Sequence, residues 1–222
     1  MAKEKNSIIK FTRTRNVKLP SRGNTHDAGI DFFVPEFEKT FVHDLKIKNS
    51  KLFGDNIHVG SLNCSGLSIG TTSGSECIEF KVQDFNDTKI KFDEEKGLLY
   101  FVLTPLSRVL IPSGIYCQME SPGRALIAAN KSGIASNHGV IFGAQVVDFE
   151  YQGEIHINVI NTSSESVRIY AGQKLIQFVE TPIFTSDIIE IDSLPELYPD
   201  GETTRGTGGF GSTNKKVEQL NS

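Results

Sequence analysis

The clearest structural signal in this chain is the stretch Glu154-Ile155-His156-Ile157-Asn158-Val159, in which polar and apolar residues alternate. A period of two is typical of a β-strand that has one face in a core and the other towards solvent. Residues 78–82 and 89–92 repeat the alternation, and the apolar runs Leu98–Leu103 and 174–179 have the length of a strand. The pattern therefore predicts an all-β protein.

Turn signals separate these runs about every ten residues. They are Ser113-Gly114, Pro122-Gly123, Gln152-Gly153 and Ala171-Gly172. Short strands at this spacing favour a sandwich or a barrel. The helical signal is weak, and its strongest candidate is a short turn of helix that begins near Ser132.

The composition is that of an ordinary globular protein. Of 222 residues, 38% are hydrophobic and 23% charged, which excludes a disordered or fibrous chain and leaves room for one domain or two. No run approaches the roughly 18 apolar residues of a membrane span, and residues 1–10 lack the apolar segment of a secretory signal. The formal net charge of -4 argues against a nucleic-acid partner but allows a small basic pocket for a compact anion.

The cysteines indicate a reducing compartment. Cys64, Cys77 and Cys117 are odd in number and scattered, which favours a cytoplasmic protein over one held by disulfides. Cys64 and Cys77 are too far apart for a Cys-x₂-Cys zinc site, and the five histidines do not group. We therefore expect no zinc site.

The Gly-rich segment 201–222 is expected to be mobile until something orders it, since it has little apolar surface to bury. Such a segment is commonly only a flexible linker. Here, however, Arg205 could recognise phosphate with its planar fork, and Phe210 could stack on a base. The glycines around them allow close backbone approach to a ligand. Together these features predict a lid that closes over a nucleotide.

Two further stretches carry candidate chemistry. Ser132 could simply cap a helix, but a helix start with a hydroxyl beside the Lys131 cation could also bind phosphate. Asp148 could lie in a solvated turn, or it could act as a general base that activates water. Tyr151, three residues later, could form the floor of a sugar pocket.

In their order along the chain, five stretches resemble the five motifs of the trimeric dUTPase family (deoxyuridine triphosphate nucleotidohydrolase). They are Ala28-Gly29-Ile30-Asp31, Lys131-Ser132-Gly133-Ile134-Ala135, Val147-Asp148-Phe149-Glu150-Tyr151-Gln152-Gly153-Glu154, Gly172-Gln173-Lys174-Leu175-Ile176-Gln177 and Arg205-Gly206-Thr207-Gly208-Gly209-Phe210-Gly211-Ser212-Thr213. The third and fifth stretches are the specific ones. The resemblance covers most of residues 8–36 and 104–213.

The resemblance implies a jelly-roll-like β-barrel and a homotrimer with active sites between subunits. The implied reaction is hydrolysis of dUTP to dUMP and pyrophosphate, with Mg²⁺ bound to the triphosphate. This reaction would limit uracil incorporation into DNA and supply dUMP for dTMP synthesis. Asp148 would deprotonate the attacking water, and Tyr151 would lie under the deoxyribose and exclude UTP. Asp31 would hold the metal only through water.

The remaining roles implied by the resemblance concern substrate contacts. The backbone around Ala144, Gln145 and Val146 would read the uracil edge in a narrow hairpin. The phosphates would be contacted by Lys131, Ser132, Gly133 and Gln177. The lid would close from a neighbouring chain through Arg205, Phe210, Gly211, Ser212 and Thr213.

The chain departs from the family pattern in several places. Lys131 replaces an Arg, Glu150 replaces an Asp, and Ala144 with Gln145 stands where many relatives place an Asn. The largest departure is an inserted, strand-rich arm at 37–103, which interrupts a core spanning 1–200. It is read as a tolerated surface insertion, with a protein-binding arm as the alternative. Such an insertion would suit a phage or viral chain that acts in the host cytoplasm.

Two other functions remain as alternatives. A dCTP deaminase shares the fold but should carry a catalytic Glu in the strand after the third motif, where this chain has Asn158. The second alternative is a regulatory protein that binds nucleotide without turnover and acts through the inserted arm. The intact Asp148 argues against it.

Overall fold

The computed structural model describes residues 8–53, 90–201 and 203–208. The chain divides into two units, Met1–Phe184 and Thr185–Ser222. The predicted strand at 78–82 lies outside the described residues. No helix in the described part of the chain is long and apolar enough to cross a membrane.

Strands dominate the first unit. They are β1 (Ile9–Arg13), β2 (Gly29–Phe33), β3 (Ile90–Asp93), β4 (Leu98–Leu103), β5 (Arg108–Met119), β6 (Arg124–Asn130), β7 (Val140–Phe142), β8 (Val146–Val147), β9 (Ile155–Asn161), β10 (Val167–Tyr170) and β11 (Lys174–Pro182). The helices of the first unit are α1 (Lys39–Lys48), α2 (Ser50–Phe53) and α3 (Ser132–His138), and α4 (Leu194–Leu197) belongs to the second.

The strands form three sheets. Their orders are β1-β5-β9-β7, β10-β4-β3 and β2-β11-β6-β8, and every pairing between these strands is antiparallel. The prediction of an all-β protein is confirmed. Among the described residues the sheets do not close into the expected barrel, because each of the three sheets has two edge strands.

Strand β9 shows the alternation that its sequence predicts. Its odd-numbered residues, from Ile155 to Asn161, are buried, and the residues between them are partly exposed. The apolar run Leu98–Leu103 is strand β4, and the run at 174–179 forms most of β11. These strands line a core that includes the fully buried side chains of Phe32 and Phe101.

The turn predicted at Ser113-Gly114 is wrong, because these residues form an irregularity inside the 12-residue strand β5. Gly114 has a positive φ of 73°, a conformation that glycine adopts readily. Hydrogen bonds that involve side chains replace the backbone bonds lost where the pairing of β5 with β9 is interrupted. The Ser113 hydroxyl donates to the carbonyl of Ile155, and the N–H of Gly114 donates to Glu154 Oε1 at 2.6 Å. The chain thus bends without reversing.

The segment at 37–103, predicted to be strand-rich, begins with two helices instead. Phe37, Phe41 and Leu45 recur every four residues, which is a helical spacing, and all three are buried in the main core. At the other end of the segment, β4 pairs with β10 in one sheet. The described parts of this segment therefore belong to the packed body of the first unit. The domain boundaries themselves stay a prediction.

The helix predicted near Ser132 is confirmed as α3, but its N-cap is Lys131 rather than Ser132. Ser132 is the first helical residue. The helix ends at His138 and is capped by Gly139, whose φ of 63° lies in the left-handed region.

Helix α1 is fixed to the core by Asn49, whose side chain donates to the carbonyls of Leu45 (2.7 Å) and Leu110 (2.8 Å). Its Oδ1 also accepts the N–H of Leu110 at 2.7 Å. Replacing Asn49 by Ala should cost about 1–3 kcal/mol of unfolding free energy, because buried backbone groups lose their partners. Thermal unfolding at a fixed protein concentration measures this loss, with the exposed Asn137→Ala on α3 as control. Equal melting temperatures for the two variants would contradict the prediction.

Candidate active site

A buried carboxylate between two lysines forms the first part of the site. Asp31 in β2 is 4% exposed. Its Oδ1 accepts from Lys131 Nζ at 2.5 Å and its Oδ2 from Lys174 Nζ at 2.8 Å. Burial alone would raise the pKa of Asp31, but the two ammonium groups outweigh it and hold the pKa below its ordinary value. We call Asp31, Lys131 and Lys174 the lysine clamp.

Strand pairing builds this arrangement. β11 lies between β2 and β6, so that Gln177 stands opposite Asp31 on one side and Ala129 on the other. Gln177 Nε2 donates to the carbonyl of Asn130 at 2.9 Å, at the end of β6. Lys131 follows Asn130 directly and so reaches the same end of the sheet as Asp31.

The lysine clamp is suited to an anion. Two ammonium groups and one carboxylate leave one net positive charge, and both lysine side chains are partly exposed. Ser132 is exposed and is the first residue of α3. A Cβ at Gly133 would meet nothing within 4 Å, so there is open space beside it.

The donor set of Asp31 does not fit direct coordination of a magnesium ion; the contact through water that the resemblance implies stays a prediction. Both carboxylate oxygens hold ammonium groups, and these positive charges would repel the metal. No group of three or more metal-ligating side chains occurs in the described part of the chain. The role that the structure favours for Asp31 is to anchor the two lysines.

The loop 148–154 forms the second part of the site. Asp148 is exposed and follows β8 directly, and its carbonyl accepts the N–H of Tyr151 at 3.2 Å. The Tyr151 hydroxyl donates to the carbonyl of Glu154 at 2.9 Å. A Cβ at Gly153 would lie 2.5 Å from Tyr151 Cζ, so the ring requires a glycine beneath it. Tyr151 is 43% exposed and lies three residues after Asp148, in the turn closed by the backbone hydrogen bond between them.

The segment 143–145 is not the narrow hairpin that the resemblance implies. It leads from β7, which pairs with β9, to β8, which pairs with β6 in another sheet. The carbonyl of Gln145 accepts the N–H of Ala128 at 2.7 Å, and the N–H of Gly143 donates to the carbonyl of Asn158 at 2.8 Å. Ala144 and Val146 are exposed.

The two parts of the site lie apart within one chain. Val147 pairs with Leu126, so Asp148 lies next to Ala125 when the register is extended by one residue. Lys131 is six residues further along the same direction, which corresponds to about 20 Å of extended chain. A single chain therefore does not bring Asp148 to the lysine clamp.

Arg205 belongs to the second unit, where its Nε donates to the carbonyl of Gly208 at 3.0 Å. The turn 203–208 also contains the bond from the N–H of Gly206 to the carbonyl of Thr203 at 2.9 Å. The other predicted lid residues lie outside the described residues. They are Phe210, Gly211, Ser212 and Thr213.

Comparison with known proteins decides the family. The dUTPase family model matches residues 98–214, which is more than half of the chain. The chain belongs to the dUTPase family. A deoxyuridine 5'-triphosphate nucleotidohydrolase of Wolinella succinogenes is 37% identical over 115 residues, which is 51% of this chain and 72% of that protein. The corresponding protein of Candida albicans is 40% identical over 107 residues, 48% of this chain and 59% of that protein.

Solved phage dUTPases share the fold. The enzyme of Staphylococcus bacteriophage 80alpha, solved with dUPNHPP, has a TM-score of 0.56 at 17% identity and covers 92% of this chain and 97% of its own. A mutant dUTPase from phage phi11 of S. aureus, which coordinates a structural Mg(II) ion, has a TM-score of 0.51 at 15% identity and covers 84% and 98%.

Sequence reasoning missed Lys174. It lies in the stretch that resembles the fourth dUTPase motif, where only Gln177 was given a phosphate role. The pairing of β11 with β2 is irregular between Lys174 and Ile176, so counting alternate residues along the strand does not place Lys174 beside Asp31. The charge of Lys174 was the one available signal.

Because the folded state lowers the pKa of Asp31, its contribution to stability is present above the ordinary Asp pKa of about 3.9 and is lost as pH falls through the lowered value. Asp31→Asn should therefore lower the melting temperature near pH 7, and the gap to the unmodified protein should begin to narrow below about pH 4 and close once the pH is below the lowered pKa of Asp31. Melting curves between pH 3 and 7 test this, with the exposed Glu94→Gln as control. A gap that stays constant with pH would contradict the ionic role.

Proposed function

We propose that the chain hydrolyses dUTP to dUMP and pyrophosphate. The observation that carries the proposal is that Asp148 and Tyr151 are both exposed in one hydrogen-bonded turn, within the stretch matched by the dUTPase family. Relatives that are 30% or more identical over this stretch are named for the same reaction. The reaction limits uracil incorporation into DNA.

Asp148 acts as the general base. Its carboxylate accepts a proton from a water molecule, whose oxygen then forms a bond to the α-phosphorus. The bond from the α-phosphorus to the oxygen that bridges it to the β-phosphorus breaks, and pyrophosphate leaves with that oxygen. Tyr151 lies against the deoxyribose, where its ring leaves no space for a 2′-hydroxyl and so disfavours UTP.

Positioning and charge stabilisation dominate phosphoryl transfer, and the lysine clamp with its neighbours supplies them. Lys131, Ser132 and Gln177 contact phosphate oxygens, with Gly133 leaving space for them. The substrate is the Mg²⁺ complex of dUTP, because Mg²⁺ binds readily through phosphates and keeps several waters. The exposed backbone at 144–146, which links β7 to β8 rather than forming a hairpin, reads the uracil edge.

The separation of the two parts of the site favours assembly between chains. Asp148 must reach the α-phosphate of the same nucleotide whose phosphates contact the lysine clamp, yet about 20 Å of strand lies between them in one chain. Asp148 of one subunit and the lysine clamp of another can meet at one nucleotide. We propose a homotrimer, with a lid that contributes Arg205, Phe210, Gly211, Ser212 and Thr213.

This chain lacks the general base that a dCTP deaminase needs. Asn158 stands at the position in β9 where a deaminase needs a catalytic Glu, and a carboxamide cannot accept and return a proton at neutral pH. Its Oδ1 is buried without a hydrogen-bond partner among the described residues. Hydrolysis therefore remains the better assignment.

Asp148→Asn should reduce kcat for dUTP by roughly 100-fold to 10,000-fold, since the amide cannot accept the proton of water. Pyrophosphate release is measured in parallel with dUTP, dCTP, dTTP and UTP, and only dUTP should react well. Glu150→Gln, an exposed acid on the same loop, serves as control. Normal turnover by Asp148→Asn would remove it as the base.

Truncation before Arg205 should leave a folded protein that has lost most of its turnover, because the proposed lid is missing. Removal of 215–222 alone is the matched control and should keep activity. Circular dichroism and pyrophosphate release separate folding from catalysis. Full kcat in the longer truncation would show that the lid does not take part.

A further inference from the structure

A second charged network joins the inserted helix α1 to the loop 148–154. Arg15, which follows β1, donates from Nη2 to Asp44 Oδ2 at 2.6 Å and from Nε to Glu154 Oε1 at 3.3 Å. The side chains of Arg15 and Glu154 are each 14% exposed, and that of Asp44 is 38% exposed. One guanidinium thus bridges two acids from distant parts of the sequence.

Glu154 is held on several sides. Its Oε1 also accepts the N–H of Gly114 at 2.6 Å, and its carbonyl accepts from the Tyr151 hydroxyl at 2.9 Å. A Cβ at Gly114 would come within 2.7 Å of the Arg15 Cβ, so Arg15 packs directly on that glycine. Contacts therefore run without interruption from Asp44 through Arg15 and Glu154 to Tyr151.

We propose that Arg15 and Asp44 are positioning residues for Tyr151, and that the inserted helix thereby sets the selectivity of this enzyme for deoxyribose. The inference rests on the proposed function, in which the Tyr151 ring lies against the sugar. Asp44 orients the guanidinium, the guanidinium holds Glu154, and the carbonyl of Glu154 holds the phenol end of the ring.

The energetics make Arg15 the central member. Burial would lower the pKa of Arg15, but its hydrogen bonds to Asp44 and Glu154 outweigh this and raise it, so the cation is permanent. Without the cation, Glu154 would be a largely buried carboxylate without a charged partner among the described residues, which is unfavourable. The pair with Asp44 is partly exposed, so it contributes less on its own and mainly orients the fork.

The expected consequence is a change in selectivity. When the phenol end of Tyr151 is released, the ring can move away from the sugar and a 2′-hydroxyl is tolerated. The ratio of kcat/KM for dUTP to that for UTP should fall by about tenfold in Arg15→Met and by about threefold in Asp44→Asn. KM for dUTP should rise more than kcat falls, since Asp148 is not altered.

The experiment compares that ratio in the unmodified protein, Asp44→Asn, Arg15→Lys, Arg15→Met and the double variant Asp44→Asn/Arg15→Met. Arg15→Lys should recover part of the selectivity because it keeps the charge. Asp44→Asn should have no further effect in the Arg15→Met background, as expected for residues in one chain of contacts. Glu38→Gln removes an exposed charge next to the same helix and should leave the ratio unchanged.

Tyr151→Phe provides a second test that leaves Arg15 intact. It removes only the hydroxyl that bonds to Glu154, so it should reproduce the loss of selectivity. A merely structural role would lower the melting temperature of the Arg15 variants and leave the ratio unchanged, which would overturn the inference. If the unmodified protein released no pyrophosphate from dUTP, the proposed function would fail together with it. If the unmodified protein prefers dUTP over UTP and the Arg15, Asp44 and Tyr151 variants keep the same preference, this inference fails while the proposed function stands.

Discussion

The hydrogen bonds of the Glu154 carboxylate are the interactions on which much of this structure depends. It accepts the N–H of Gly114 where the ladder of β5 is interrupted, and it pairs with Arg15 beside β1. Because the same residue ends the loop 148–154 and precedes β9, the bend in β5 and the conformation of the loop are set together. A carboxylate so enclosed needs several donors to offset its lost hydration, and the backbone and Arg15 supply them.

Two of the charge centres in the first unit have opposite stoichiometry. Asp31 is one carboxylate between two lysines, and Arg15 is one cation between two acids. The first leaves a net positive charge, which suits phosphate, whereas the second leaves a net negative charge, which does not. The second centre therefore has no direct role with an anionic substrate, and its contacts lead instead to the uncharged ring of Tyr151.

The fold class could be predicted from the sequence because period-two alternation survives wherever a strand has one buried face, as β9 has. The helix α1 was missed because its signal, Phe37, Phe41 and Leu45, is short and precedes a long strand-like stretch. The turn expected at Ser113-Gly114 was wrong, since the sequence alone does not show that Glu154 would accept the Gly114 N–H. Motif order predicted Asp148 and Tyr151, but the role of Lys174 depends on an irregular strand register.

Helix α1, at the start of the predicted insertion, is part of the packed body of the first unit and not an appendage. Leu45 and Phe41 are fully or almost fully buried in the main core, and Asn49 completes the hydrogen bonds of Leu110 in β5. Removing the helix would open a cavity and leave buried polar groups unpaired, each of which is costly. Loss of activity after such a deletion would therefore report unfolding. Single substitutions such as Asp44→Asn, at a partly exposed side chain, leave the core intact and separate the helix's influence on Tyr151 from its contribution to stability.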